Sequence, residues 1–306
     1  MKLIYKIENN KIILTQNVQE KYQILFFINP DNDEKIFIKN NFNIDEHSLN
    51  SALDPDEQAR IEINENYSLI IFKKPRNYSA KDQFLFKVIS IGIFIFNDFM
   101  LILTTEDIPI FEGKQFDKVN SFIDITLKII YRSIFHFLEH LKVINMISDE
   151  LETKINTSME NKYLINLFTL EKSLVYYLNA INSNNFVIEK IKLNSQKLNL
   201  SKNDLELLED IIIENNQCYK QAEIYSNILA GMMDARVSIV SNNLNVLMKT
   251  LNIITIGIMV PTFVVSAFSM NVKIPLAAHP YAFWFVMLLS IFSVLIFIFI
   301  WKYKKW

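Results

Sequence analysis

The stretch Lys249-Thr250-Leu251-Asn252-Ile253-Ile254-Thr255-Ile256-Gly257-Ile258-Met259-Val260-Pro261-Thr262-Phe263-Val264-Val265-Ser266-Ala267-Phe268-Ser269-Met270-Asn271-Val272-Lys273 holds twenty-three uncharged residues between its two lysines. About 20 apolar residues at ~1.5 Å each cross a ~30 Å hydrocarbon core, so the run is long enough to span a membrane. It also carries a polar stripe for which a simple anchor has no use. Alternating steps of three and four from Asn245 reach Met248, Asn252, Thr255, Met259, Thr262 and Ser266, and the run closes on Ser269-Met270-Asn271. Leu251 fits the stripe as well as Asn252 does. Side chains so spaced share one helix face, and a sustained repeat of about 3.5 residues is that of a seam in a helix bundle. Polar groups inside a bilayer need partners or water, so this face turns away from lipid and lines something.

A second run of twenty uncharged residues extends from Ala282 to Trp301. The tail Lys302-Tyr303-Lys304-Lys305-Trp306 follows it, and its lysines together with Lys249 outweigh Lys273 in the connection. The positive-inside bias places both termini in the cytoplasm and the connection outside. Two spans cannot enclose a path by themselves, so conduction requires a symmetric assembly of copies.

Outside the spans roughly 250 residues remain, room for one or two domains. A net charge of −2 over 306 residues leaves no electrostatic footprint of nucleic-acid binding. The single cysteine, Cys218, excludes an internal disulfide, and no cysteine cluster offers a structural zinc site. The four glycines are not clustered into a phosphate-binding loop, and no organic cofactor is expected. Met1 to Lys6 lacks the long apolar run of a secretory signal.

Four of the seven prolines precede Gly113, and strand-like segments occur there at Ile12–Leu14, Gln23–Ile28 and Tyr67–Phe72. Phe84 to Thr104 has the composition of a span, but Lys87 interrupts it and Asn97-Asp98 separates two apolar runs as a hairpin turn does. It reads as two buried strands. Asp45 to Asp56 is helical or looped, which makes residues 1–113 a mixed α/β domain.

Between Gly113 and Pro261 there is no proline, and apolar residues recur at helical spacing, as in Phe122, Ile125, Ile129, Ile130, Ile134 and Phe137. These are long helices. The last opens at Ser201-Lys202-Asn203-Asp204, a capping-box pattern, and nothing breaks it before Pro261. Its seam of Tyr225, Ile228, Met232, Ala235 and Ile239 leads toward Asn245 on nearly the same face.

Asn242-Asn243-Leu244-Asn245-Val246-Leu247-Met248-Lys249, the long apolar helix, and the closing Ser269-Met270-Asn271 together resemble the CorA family of divalent cation channels. In that family an Asn-rich entry leads to a Gly-Met-Asn signature; the lysine-rich tail matches too. Upstream, Arg60-Ile61-Glu62 followed by Tyr67 to Phe72 is similar to the family's Arg-x-Glu segment before a core strand. The resemblance implies an α+β membrane protein that assembles as a homopentameric funnel in the cell (inner) membrane. Residues 1–113 would form the cytoplasmic α/β base, 114–249 the long helices including a stalk, and 250–270 the pore-lining span. Residues 271–281 would be the external loop, 282–301 the second span and 302–306 the basic tail, with Lys302, Lys304 and Lys305.

By the same resemblance Asn271, with Met270 and Ser269, forms the outer selectivity ring. Ser266, Thr262, Met259, Thr255, Leu251, Met248 and Asn245 line the way inward; at the ambiguous level the family favours Leu251. The implied substrate is Mg2+, with Co2+, Ni2+ or Zn2+ as other candidates, moved passively and without ATP. Mg2+ is also the implied regulatory ligand: Asp210 falls at the family's stalk carboxylate, flanked by Glu209 and Glu214, with Asp82 as a partner acid across the subunit boundary. The expected partners are further copies of the chain, membrane lipid and divalent cations. Two departures stand out. Ser269 replaces the signature glycine, and the external loop has no acid but carries Lys273. These favour the alternative of a non-conducting or differently selective membrane-anchored scaffold or sensor.

One enzyme motif remains. His136-Phe137-Leu138-Glu139-His140 fits the H-x-x-E-H pattern of a zinc peptidase. Five-residue patterns arise by chance, no downstream acidic ligand is identifiable, and an amphipathic helix accounts for both histidines. The chain is read as a transporter and not as an enzyme.

Overall fold

The structure, a computed structural model, describes residues 1–15, 23–78, 84–157, 161–272 and 279–304. Seven strands form one sheet: β1 (Lys2–Glu8), β2 (Lys11–Thr15), β3 (Ile24–Ile28), β4 (Arg60–Ile63), β5 (Ser68–Pro75), β6 (Val88–Ile95) and β7 (Met100–Thr104). Their order is β2-β1-β3-β7-β6-β5-β4. Only the β3–β7 pair is parallel. Two short helices, α1 (Asn32–Phe42) and α2 (Glu46–Leu53), link β3 to β4.

Both sheet faces are covered, which is why the central strands read as unbroken apolar runs rather than alternating ones. One face presents Leu25, Phe27, Leu69, Ile71, Phe94 and Leu101 to Ile38, Leu49 and Ala52 of the short helices. The other presents Phe26, Ile70, Phe72, Ile91, Ile93 and Ile102 to the long helices. The run from Phe84 to Thr104 is indeed a strand pair: β6 and β7 are antiparallel, and Phe96 N–H donates to Phe99 O at 2.9 Å across the Asn97-Asp98 turn.

Three long helices follow: α3 (Phe122–Thr157), α4 (Asn161–Leu193) and α5 (Lys202–Phe268). The start of α5 is capped reciprocally. Asp204 N–H donates to Ser201 Oγ at 3.2 Å, and Ser201 N–H donates to Asp204 Oδ2 at 2.9 Å, satisfying free first-turn amides. Leu208, Ile211, Asn215, Cys218, Ala222 and Leu229 form its buried face. The last helix is α6 (Ala282–Lys304). The chain divides into two compact units, Met1–Met233 and Asp234–Trp306, and α5 contributes to both. Among the described helices, α5 and α6 are long and apolar enough to cross a membrane.

Candidate functional site

In the second unit, α5 shows α6 a narrow face. Ile253, Gly257, Val260, Pro261, Val264 and Phe268 are half-buried, while their neighbours are exposed. Gly257 lies on this face opposite Phe297, where an added Cβ would sit 3.5 Å from the ring, an ordinary van der Waals contact. On α6 the half-buried positions are Ala282, Val286, Leu289, Ser290, Ser293, Val294 and Phe297, the spacing of a packed seam.

The polar stripe lies elsewhere on the cylinder. Asn245, Met248, Leu251, Thr255, Met259, Thr262 and Ser266 are all exposed on this chain. At ~100° per residue the centre of this set sits roughly half a turn from the face that α6 covers. Leu251 and Asn252 are both exposed and flank the stripe on either side. From Val237 to Asn252 no residue of α5 is even half-buried, although Leu244, Leu247, Met248 and Leu251 are 57% exposed or more.

Local hydrogen bonding sets the polarity of the stripe. Thr255 Oγ1 donates to Leu251 O at 2.8 Å and Thr262 Oγ1 to Ile258 O at 2.7 Å. With each hydroxyl proton held by the helix, these oxygens offer lone pairs outward. Such a surface accepts hydrogen bonds, and the water shell of a cation is a set of donors. At the helix end Ser269 Oγ donates to Ser266 O at 2.9 Å, and Ser269 N–H donates to the same carbonyl at 3.1 Å. Ser269 is not among the residues with left-handed φ. A glycine's freedom is therefore not used at this position, and the serine side chain adds a cap. Met270 and Asn271 follow, both exposed.

The acidic residues proposed for regulation lie on the part of α5 that belongs to the first unit. Glu209 and Asp210 are exposed and Glu214 is half-buried. Burial, then the charges of Glu214 and Asp210, push the Tyr131 phenol up, which places this α3 residue beside them. Among the described residues no group of three or more His, Cys, Asp or Glu side chains is placed to hold a metal ion. Asp82 lies outside the described residues, as does Lys305. Lys302 is exposed in the last turn of α6, whereas Lys304 ends that helix and its side chain is not described.

His136 and His140 meet edge to face on α3 with ring centroids 4.4 Å apart. His140 Nδ1 is 2.6 Å from Tyr177 Oη, and its ring meets Phe86 edge-on. Burial lowers His136 to about 3, helped by His140, Lys74 and Arg132, and lowers His140 to about 4. Neutral imidazoles packed in a core beside two cations form an aromatic cluster; the cations oppose a bound metal ion.

Sequence reasoning missed Ser290, which lies on the half-buried face of α6 and shares the edge of a groove with Thr262 and Ser266. The available signal was its spacing: Ser290 and Ser293 are the two hydroxyl-bearing aliphatic residues in an otherwise apolar span.

The chain thus combines a sheet domain, long helices and two helices long and apolar enough to cross a membrane, the first of which carries a polar stripe. The family model described as CorA-like Mg2+ transporter protein matches residues 19–304, and the chain belongs to that family. The cobalt/magnesium transport protein CorA of Methanocaldococcus jannaschii is 25% identical over 308 residues, covering 94% of this chain and 92% of the relative. The complete structure of the CorA magnesium transporter from the same organism superposes with a TM-score of 0.84 at 22% identity, covering 99% of this chain and 97% of that one. The full-length CmaX protein superposes with a TM-score of 0.69 at 13% identity, covering 100% and 97% of the two chains. At such identities the structural likeness speaks for the fold.

Proposed function

We propose that copies of this chain assemble as a homopentamer around a water-filled axis and pass a divalent cation, Mg2+ first, down its electrochemical gradient. In this reading 1–113 and 114–249 are the cytoplasmic base and stalk, and both termini are cytoplasmic. Residues 250–270 line the path, 282–301 surround it, and 302–306 anchor the cytoplasmic end. The observation that carries the reading is the polar stripe from Asn245 to Ser266, exposed on the side of α5 away from α6. An uncovered apolar and polar helix face of this length calls for neighbouring copies.

The chemistry follows from the ion. Mg2+ demands octahedral oxygen coordination and gives up its waters reluctantly. Asn271 amide oxygens in a ring would receive the hydrated ion by hydrogen bonds without holding it too firmly to leave. Thr262 and Thr255 accept from its water shell, while Met259, Leu251 and Met248 narrow the path with rings that dewet when closed. Neighbouring subunits would bring Asp210, Glu209 or Glu214 near an acid such as Asp82. These carboxylates repel one another until an intracellular cation bridges them, which couples ion level to assembly.

The test is flux into proteoliposomes. Wild type should admit Mg2+, and Asn271→Ala should lose most of that flux; equal flux would remove Asn271 from the filter. Ser269, Lys273 and the acid-free loop are the features behind the second reading. Absence of flux for Mg2+, Co2+, Zn2+ and Na+ alike in the wild type would decide for the non-conducting scaffold.

A further inference from the structure

We infer that the ion path has a hydrated side pocket on the flank of the two spans, and that Ser290 of α6 is a positioning residue within it. The inference rests on the pore reading above and extends it to a helix that reading leaves at the periphery. An open groove of about 370 Å3 runs along the flank of the α5–α6 pair, lined by Pro261, Thr262, Val265 and Ser266 of α5 and Ser290 of α6. At about 30 Å3 per water in the liquid, that volume holds several waters.

The hydroxyl inventory points to the same place. From Thr250 to the end of α6 there are seven serine and threonine hydroxyls. Thr250, Thr255, Thr262, Ser269 and Ser293 each donate to a carbonyl three or four residues earlier. Such back-bonding is how a helix inside a bilayer satisfies a hydroxyl without water. Ser266 and Ser290 make no such bond among the described residues, and both line this groove. Neither hydroxyl is among the buried side-chain atoms that lack a partner, so both open onto the groove, where water rather than the helix satisfies them.

Pro261 also lines the groove. Having no N–H, it leaves the Gly257 carbonyl without its usual helical donor. The Thr262 oxygen, its proton held by Ile258 O, supplies an acceptor at the mouth. Waters held between Ser266 and Ser290 are thus positioned beside the stripe, where they can replace outer-shell waters of a passing hydrated cation.

Cysteine labelling in proteoliposomes tests this with the full chain. Cys218 is fully buried and its thiol is pushed up to about 12, so it stays silent. Thr262→Cys, Ser290→Cys and Ile291→Cys are each exposed to a charged, membrane-impermeant thiol reagent and read by mass. The expected result is modification at 262 and 290 but not at 291, with Mg2+ flux falling several-fold once 290 is modified. Modification at 262 without 290 overturns the side pocket and leaves the pore reading standing. Silence at both 262 and 290 overturns both. Equal modification at 290 and 291 reports general exposure and overturns the side pocket. In parallel, Ser290→Ala should lower Mg2+ flux several-fold and Ser290→Thr, which keeps the hydroxyl, should restore most of it. Unchanged flux in Ser290→Ala contradicts the positioning role.

Discussion

Asn184 on α4 completes the hydrogen bonding of Lys73 on β5: its Oδ1 accepts from Lys73 N–H at 2.7 Å and its Nδ2 donates to Lys73 O at 2.8 Å. The reason is the length of β4. That strand pairs with β5 only from Ser68 to Ile71, so the next residues of β5 have a partner on the β6 side alone. The Asn184 amide stands in for the missing strand. Asn184→Ala would strand two buried backbone groups, each costing about 1–3 kcal/mol. Thermal unfolding of the full chain in detergent should show a midpoint lowered by several degrees; an unchanged midpoint would mean that water replaces the amide.

A tighter contact joins β6 to α2. A Cβ on Gly92 would lie 2.3 Å from the Ala52 Cβ, well inside van der Waals contact. Gly92→Ala should therefore destabilise by about 1–3 kcal/mol, the cost of overpacking a filled core. Pairing it with Ala52→Gly should recover part of the loss. Additive losses in the double variant would show that the two sites do not meet.

The buried Lys73 makes stability depend on pH. Its ammonium donates to Pro55 O at 2.8 Å and Ser90 Oγ at 2.7 Å. Burial still pushes it down to about 8 from 10.5, against the pull of Asp54, Asp56 and Glu57. Below pH 8 folded and unfolded chains both hold the proton, and the cost of burying the charge is fully present. Between about 8 and 10.5 the unfolded chain binds more protons, so stability rises with pH over that window. Denaturation midpoints measured from pH 7 to 10.5 should climb in the wild type and climb less in Lys73→Met. Identical slopes would assign the effect to Lys74, which burial also lowers to about 8.

Ser269 gives a prediction opposite to the one its departure from the glycine signature suggests. It caps Ser266 O and sits outside the left-handed region. Ser269→Gly should keep Mg2+ flux at the wild-type level or raise it, because neither residue is strained there. Complete loss of flux would contradict this.

The residues explain why some of this was readable beforehand. Turn chemistry at Asn97-Asp98 and the charge of Lys87 separated a strand pair from a membrane span, and the Ser201/Asp204 spacing marked the start of α5. The stripe was visible because period and polarity coincide on one helix. Less visible were β1 and α1, whose mixed composition carries little periodicity, and the parallel β3–β7 pair, which joins segments separated by some seventy residues. The roles of Ser173, Ser183 and Asn184 were hidden for a related reason. These α4 side chains bond to backbone atoms of Phe86, Ala59 and Lys73, and no local pattern announces a partner about 90 to 120 residues away. Asp210 belongs to no group of three or more candidate metal ligands among the described residues, and a site of the kind proposed between copies would leave no trace within one chain.

The most direct test of the account is a cysteine scan along α5 in lipid, with the silent Cys218 as background. Single cysteines at Asn245, Met248, Leu251, Thr255, Met259, Thr262 and Ser266 should react with a small aqueous thiol reagent, and those at Ile253, Val260 and Val264 should not. The reverse pattern, or uniform silence along both faces, would contradict the claim that this stripe surrounds water.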